Sequence, residues 1–360
     1  MRVTGAEQVE EAVADCVAAL GAVTGHDWGE VRAGRLEWTC RETAVHIAED
    51  LFGYAGQLAG RHREGYAPFG ISLEDGADDE GVLRVIATGG ALLAAAVRTT
   101  PRAVRAWHPF PFQQVNREGF AAMGVAEVLL HTHDIAEALG VTYQPPAGLA
   151  EFVLTRIFPH VRPGPTPWRT LLWATGRGEL PGREPVTSWR WCSAPVLRTE
   201  RLALEGLTPA AAADLSLGGD GGFDWVASGP WEGTREGAGL AFEQYQEGAF
   251  RPEWTMYMLV RLEDDRAVGA MGFHGAPDDT GRVEIGYDLA ADARGRGYAT
   301  EALRALAGWA VRQEGVRKVA AVVERGNVPS RRVLERAGFV RAGGDSARLG
   351  YEFRTDGFRA

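Results

Sequence analysis

Two stretches hold residues whose types and spacing suit chemistry. The first contains His46, inside the pattern Trp38-Thr-Cys-Arg-Glu-Thr-Ala-Val-His46, and Glu127-Val-Leu-Leu-His131 further on. Four positions along a helix bring Glu127 and His131 to one face. A histidine from one helix and a Glu/His pair from another make three inward ligands for a divalent ion, with open coordination sites. The alternatives are a hydrogen-bonded core histidine and a surface pair. His133 should point away from the site, and Asp134 either orients His131 or is a helix-surface charge. The second stretch is Glu284-Ile-Gly-Tyr-Asp-Leu289 followed by Arg294-Gly-Arg-Gly-Tyr-Ala299 and Thr300. A strand ends, a glycine-bearing loop follows, and a helix begins at Tyr298 or Ala299. Such a loop turns backbone N–H groups outward at a helix N-terminus, an anion site suited to a pyrophosphate. Gly295 and Gly297 let the backbone approach phosphate, and Arg294 and Arg296 add charge.

These residues need elements to hold them. Apolar residues at helical spacing predict helices over about 7–23, 41–58, 80–97 and 117–139, with a short fifth over 149–158 after Pro145-Pro146. Four amphipathic helices of similar length suggest a bundle. Leu171 to Thr175 and Ser188 to Cys192 read as two strands of an appended β-hairpin. Positions 193–199 read as a linker between a first domain over 1–192 and a second over 200–360. In the second, strands are expected over 201–204, 255–262, 267–274, 282–289, 318–323 and 348–353, with helices over 300–313 and 327–337. That order predicts a mixed α/β sheet.

The 360 residues accommodate two domains, and 45% hydrophobic with 24% charged residues is ordinary globular composition. A net charge of -10 argues against a nucleic-acid partner. Lys318 is the only lysine among 38 basic residues, which reads as the GC-rich coding of a bacterium such as an actinomycete. The widely spaced Cys16, Cys40 and Cys192 make neither a disulfide framework nor a CxxC pair, and Cys16 falls on a core position. The first residues lack a signal-peptide pattern, and no apolar run approaches the roughly 20 residues of a membrane span. The expectation is a cytoplasmic protein with no membrane partner.

The second stretch resembles the GNAT acetyltransferases, whose CoA loop reads Arg/Gln-x-x-Gly-x-Gly/Ala, matched by Arg294-x-x-Gly297-x-Ala299. Leu197-Arg-Thr-Glu-Arg-Leu202, Asn327-x-x-Ser330 and Arg336-Ala-Gly-Phe339 are similar to the RimJ/RimL-type subgroup. The resemblance implies a splayed strand at Tyr287, Asp288 and Leu289 that pairs with pantetheine. Residues 294–300 would take the pyrophosphate of acetyl-CoA, and Asn327 and Ser330 would face its thiol end. Glu284 is the candidate base toward the attacking amine, or a solvent-facing strand residue. The tyrosine acid of many relatives is Leu334 here, so Ser330 or solvent would protonate the thiolate.

The first stretch resembles the DinB-like, mycothiol-dependent maleylpyruvate isomerase N-terminal family, through Trp-Thr-x-Arg-Glu-x-x-x-His and Glu-x-x-x-His-x-x-Asp-Ile. That resemblance implies a four-helix bundle with His46, Glu127 and His131 on a metal. The same ligand types suit iron(II), and the resemblance favours zinc, with a thiol such as mycothiol as a further ligand. The isomerase's own C-terminal domain has no counterpart here. The expected function is acetyl transfer to a small-molecule amine, joined to a metal- or thiol-dependent domain. The alternative is acetylation of a protein N-terminus, with the bundle as a binding or dimerisation module.

Overall fold

The computed structural model describes residues 4–109 and 113–354. The outermost positions of the two expected domains, 1–3 and 355–360, lie outside the described residues. The chain divides into two compact units, Met1–Ser193 and Ala194–Ala360.

In the first unit, α1 (Ala6–Gly21), α2 (Cys40–Gly60), α3 (Asp79–Thr99) and α4 (Arg117–Ala138) share one core. Local chemistry sets their starts. Thr39 and Glu42 form a reciprocal capping box on α2, and Asp78 and Asn116 accept the N3 amides of α3 and α4. Helix α4 is buried nearly all round, so polar residues on it are held inside the unit. Cys16 is fully buried, as expected. By length and composition α3 could cross a bilayer, with an 18-residue window of mean hydropathy 1.5. Its Val82, Ile86, Leu93 and Val97 instead pack into the core.

The expected hairpin is absent. Leu171 to Ala174 belong to α6 (Pro167–Ala174), which follows α5 (Ala147–Ile157), and 185–195 form no strand. Thr166 accepts the Arg169 amide and Pro167 fills the first turn, a start signal that outweighs a four-residue apolar run.

The second unit is a mixed sheet between two helical layers. Its strands are β1 (Val196–Arg198), β2 (Leu202–Gly206), β3 (Asp224–Trp225), β4 (Met256–Arg261), β5 (Arg266–Phe273), β6 (Arg282–Leu289), β7 (Lys318–Glu324), β8 (Val340–Gly344) and β9 (Arg348–Arg354). They run in the order β1-β2-β4-β5-β6-β7-β9-β8, with β3 beside β5. Strand β1 lies inside the stretch expected to be linker, because Val196 to Arg198 pair antiparallel with Ala203 to Glu205. One face packs α9 (Tyr298–Ala310) and α10 (Val328–Ala337), where Leu303, Leu306 and Leu334 meet Leu259, Val268 and Val283. The other packs α7 (Pro209–Ser216) and α8 (Glu232–Glu247), where Ala238 and Ala241 meet Met258 and Val260.

The register explains where a ligand can enter. Strands β6 and β7 pair in parallel only at Arg282 to Glu284 with Lys318 to Ala320. Beyond that point β6 pairs only with β5, and β7 only with β9. A wedge opens in mid-sheet, and the backbone groups of 285–289 on that edge have no strand partner. Unpaired main-chain donors and acceptors need a ligand or water.

Candidate functional site

Strand alternation sorts the residues of β6. Val283 and Ile285 join the core beneath α9, so Tyr287 and Leu289 point to that side and Glu284, Gly286 and Asp288 to the side of α8. Each side carries a cavity, and both cavities include Tyr287 and Asp288.

The cavity beside α9 and α10 holds about 720 Å³. It gathers every expected cofactor position except Arg296 and Tyr298: Tyr287, Asp288 and Leu289 on β6, Arg294 to Thr300 on the loop, and Asn327 and Ser330 on α10. Gly295 and Gly297 have φ of 74° and 84°, in the left-handed region that glycine adopts without strain. Gly297 is the N-cap of α9, whose first amides lack intrahelical partners. Arg294 is held over Trp231 at 5.1 Å and donates to the Leu289 carbonyl. Arg332 and Arg336, which the sequence reading left out of the site, also line this cavity. A groove with three arginines at a helix N-terminus suits phosphate.

The two exceptions brace the loop. The Arg296 carbonyl accepts from Arg201, and the Arg201 guanidinium lies 4.8 Å over the buried Tyr298 ring. Glu301 accepts from the Arg201 backbone and side chain. The Asn327 side chain caps α10 by accepting the Ser330 amide. Ser330 Oγ is 2.6 Å from the Tyr287 hydroxyl, so the two form one proton-carrying pair at the wedge. Burial raises the Tyr287 pKa, keeping the phenol protonated and able to donate. Sequence reasoning missed this hydroxyl because it valued Tyr287 for its backbone.

The cavity beside α8 holds about 370 Å³. Glu284 lines neither cavity; its carboxylate bonds Arg282 Nη2 at 2.6 Å and lies 3.5 Å from His274 Nδ1. His274, just beyond β5, does line this cavity. A Cβ added at Gly286 would sit 3.0 Å from His274 Nε2, so that nitrogen overlooks bare β6 backbone. Asp288 accepts from the Thr234 amide and hydroxyl, tying the start of α8 to the wedge.

In the first unit, His46, Glu127 and His131 offer ligand atoms all within 4.8 Å of one another. His131 Nε2 is 3.1 Å from Glu127, and its Nδ1 is 3.0 Å from Asp134 Oδ2. Burial opposes charge on His131, but the bonds to Asp134 and Glu127 prevail and lift its pKa to about 9. Asp134 is 3% exposed and takes a forked bond from Arg177, so it orients His131 and is no surface charge. His133 packs against Trp168 with ring centroids 5.6 Å apart, outside the cluster. A fourth group went unread: Asp50, one turn after His46, lies 3.2 Å from His46 Nε2. Burial, with Glu127 nearby, pushes Asp50 up to about 8. Tyr54, a further turn along α2, reaches Glu127 at 3.5 Å. An open cavity of about 440 Å³, lined by Trp38, Arg41 and His46 among others, adjoins the cluster.

The Arg177 fork gives a stability prediction. Arg177→Ala leaves the Asp134 carboxylate buried with His131 as its remaining partner, at an expected cost of about 2 kcal/mol. Urea unfolding followed by a signal from the first unit checks it. An unchanged midpoint would show that water replaces the guanidinium without penalty.

Comparison with known proteins places the second unit. Residues 201–340 match the family model for an acetyltransferase (GNAT) domain. The uncharacterized N-acetyltransferase YjdG of Bacillus subtilis is 36% identical over 84 residues, 23% of this chain and 50% of that protein. The probable N-acetyltransferase YjcK of the same organism is 32% identical over 111 residues, 31% of this chain and 61% of that protein. The chain thus spans about half the length of the first of these relatives. A crystal structure of a GNAT-family acetyltransferase from Bacillus anthracis aligns at 17% identity and TM-score 0.33, over 45% of this chain and 99% of that one. Residues 201–340 of this protein are a GNAT acetyltransferase domain.

Proposed function

We propose that the second unit transfers an acetyl group from acetyl-CoA to the amine of a small molecule. The observation that carries this is the junction of two cavities at the β6 backbone, where β7 has diverged. A phosphate-binding groove on one side and an apolar, acid-rimmed cavity on the other meet at one short stretch of unpaired main chain. Acetyl-CoA supplies the thioester; the chain's residues do the rest. The loop 294–300 with Arg332 and Arg336 anchors the phosphates. An unpaired amide of 285–289 donates toward the oxygen on which charge develops. The amine nitrogen forms its bond to the acetyl carbon and gives its proton to His274 Nε2, with Glu284 holding the opposite ring nitrogen. The carbon–sulfur bond breaks, and the Tyr287 hydroxyl, held by Ser330, protonates the thiolate and regains its proton from solvent. Glu284 therefore works through His274 in this reading, and Ser330 works through Tyr287.

The test uses the full chain: calorimetry with acetyl-CoA, then amine-dependent release of free thiol. Gly297→Val should weaken acetyl-CoA binding by about 10- to 100-fold. A branched side chain at φ 84° is strained, and it would crowd the amides that face phosphate. A folded wild type with no acetyl-CoA affinity would end the proposal.

For the first unit we read His46, Glu127 and His131 as ligands of one divalent ion, zinc before iron, in a DinB-like bundle. The residues fit such an ion: two imidazoles and a carboxylate converge, and Asp134 holds His131 Nδ1, leaving Nε2 for a metal. A bound ion would lower the pKa of a coordinated water or thiol, mycothiol being the thiol the resemblance suggests. Arg177 fixes Asp134, Asp134 fixes the His131 ring, and Trp38 shields the outer face of His46 with ring centroids 4.7 Å apart.

A further inference from the structure

Arg201 lies outside the phosphate groove, in the turn from β1 to β2, yet it grips the loop that lines the groove 95 residues later. Three bonds fix its guanidinium. Nε and Nη2 donate to Glu301 Oε2 at 2.7 and 2.6 Å, and Nη1 donates to the Arg296 carbonyl at 2.9 Å. Glu301, on the first turn of α9, also accepts from the Thr199 hydroxyl at 2.6 Å and the Arg201 amide at 2.8 Å. One carboxylate therefore holds residue 201 by its backbone and by its side chain. The buried Tyr298 ring lies 4.8 Å beneath the guanidinium and gives it a fixed platform.

The bond to the Arg296 carbonyl decides where the next amide points. In a trans peptide the carbonyl of one residue and the N–H of the next face opposite ways. With the Arg296 carbonyl drawn back to Arg201, the Gly297 N–H turns toward the groove, which Gly297 lines and Arg201 does not. That amide makes no hydrogen bond among the described residues. An open donor at the N-cap of α9 suits a phosphate oxygen. Little else secures this peptide. The Arg296 carbonyl accepts from no backbone amide among the described residues, and Gly297, at φ 84°, can pass to other conformations at low steric cost.

Building on the acetyl-transfer reading, we propose that Arg201 is a positioning residue for acetyl-CoA, locking the Arg296–Gly297 peptide with its N–H toward the pyrophosphate. Glu301 and Tyr298 hold Arg201 in that posture. The loop then meets the cofactor already formed, and binding is spared the cost of ordering it. Arg201 touches neither the cofactor nor the wedge, so it acts on affinity through the loop alone. Its side chain is 44% exposed, which keeps the effect moderate. Lysine keeps the charge but lacks the planar fork that spans Glu301 and the Arg296 carbonyl together.

Calorimetry on the full chain, with acetyl-CoA and with CoA, tests this. Arg201→Ala should weaken both by the same factor, about tenfold, because both carry the pyrophosphate. Arg201→Lys should recover only part of that loss. In cofactor-free, 15N-labelled protein, the Gly297 amide resonance should shift or broaden in Arg201→Ala while those of β4 and β5 stay in place. A general loss of packing would move the strands as well. Glu301→Gln serves as a second variant should Arg201→Ala fail to fold. It keeps an acceptor for Thr199 but loses the charge that holds the guanidinium, and should weaken both ligands by about threefold. Unchanged affinity in the folded variants, or a Gly297 resonance unmoved by the loss of Arg201, overturns the inference and leaves acetyl transfer standing. Full recovery by lysine also overturns it, since charge alone would then suffice. Wild type that binds neither acetyl-CoA nor CoA overturns the acetyl-transfer reading beneath it.

Discussion

His274→Ala should lower kcat for acetyl transfer by about 10²- to 10⁴-fold, while acetyl-CoA affinity stays within about twofold. His274 brings a titratable nitrogen over bare β6 backbone, because glycine occupies position 286 and leaves Nε2 facing the strand. Its other nitrogen is 3.5 Å from Glu284, and Arg282 fixes that carboxylate. With a proton on Nδ1 toward Glu284, Nε2 presents a lone pair to an amine in the cavity. Glu284→Gln keeps an acceptor for Nδ1–H but loses the charge that stabilises the protonated ring. A smaller loss, about tenfold, follows for a positioning residue. Added imidazole should partly restore His274→Ala, which a structural role would not permit. If His274→Ala turns over like wild type and Glu284→Gln does not, Glu284 is the base after all.

The limits of the sequence reading have physical causes that particular residues make plain. Strand β6 was legible to the residue, because Val283 and Ile285 alternate with Glu284 and Gly286 and the glycine-arginine loop ends it. Helix α8 is absent from the elements expected of the sequence because its buried face is only Thr234, Ala238, Ala241 and Tyr245, interrupted by three glycines. Gly233, Gly237 and Gly239 depress helix propensity, and tertiary packing overrides that. Strand β8 is exposed throughout, so it lacks the burial pattern that marks a strand and forms because β9 pairs with it. Asp50 carried the same four-residue spacing from His46 that revealed Glu127 and His131, so its signal was present and unused. His274 carried none. Its role depends on the register that sets Phe273 against Ile285, and on a glycine beyond it, neither of which a single sequence displays.

Protein purified without a histidine tag should hold one equivalent of divalent metal, and His131→Ala should hold almost none. His131 brings a ring already oriented: Nδ1 is bonded to Asp134, and Arg177 grips Asp134 with a forked bond. Its removal deletes one of three ligands and leaves the carboxylates of Glu127 and Asp50 near each other without the imidazole between them and Asp134. Losing a ligand of an oriented set commonly lowers affinity far beyond what a surface change does, because the remaining two cannot close the shell. The first unit should stay folded without metal, since α1 to α4 bury their own core around Leu51, Leu93 and Phe120. His46→Ala provides an independent second test, because that ring is partly exposed and its loss opens little of the core. Acetyl transfer should persist in both variants, as the residues read as its machinery all lie beyond position 200. Elemental analysis after gel filtration decides the matter, with added zinc and iron(II) offered to the apo protein. Wild type that is metal-free and takes up neither ion would make the His46, Glu127 and His131 cluster a buried ion-pair network, with Glu127 and Asp134 neutralising His131 and Arg177 neutralising Asp134.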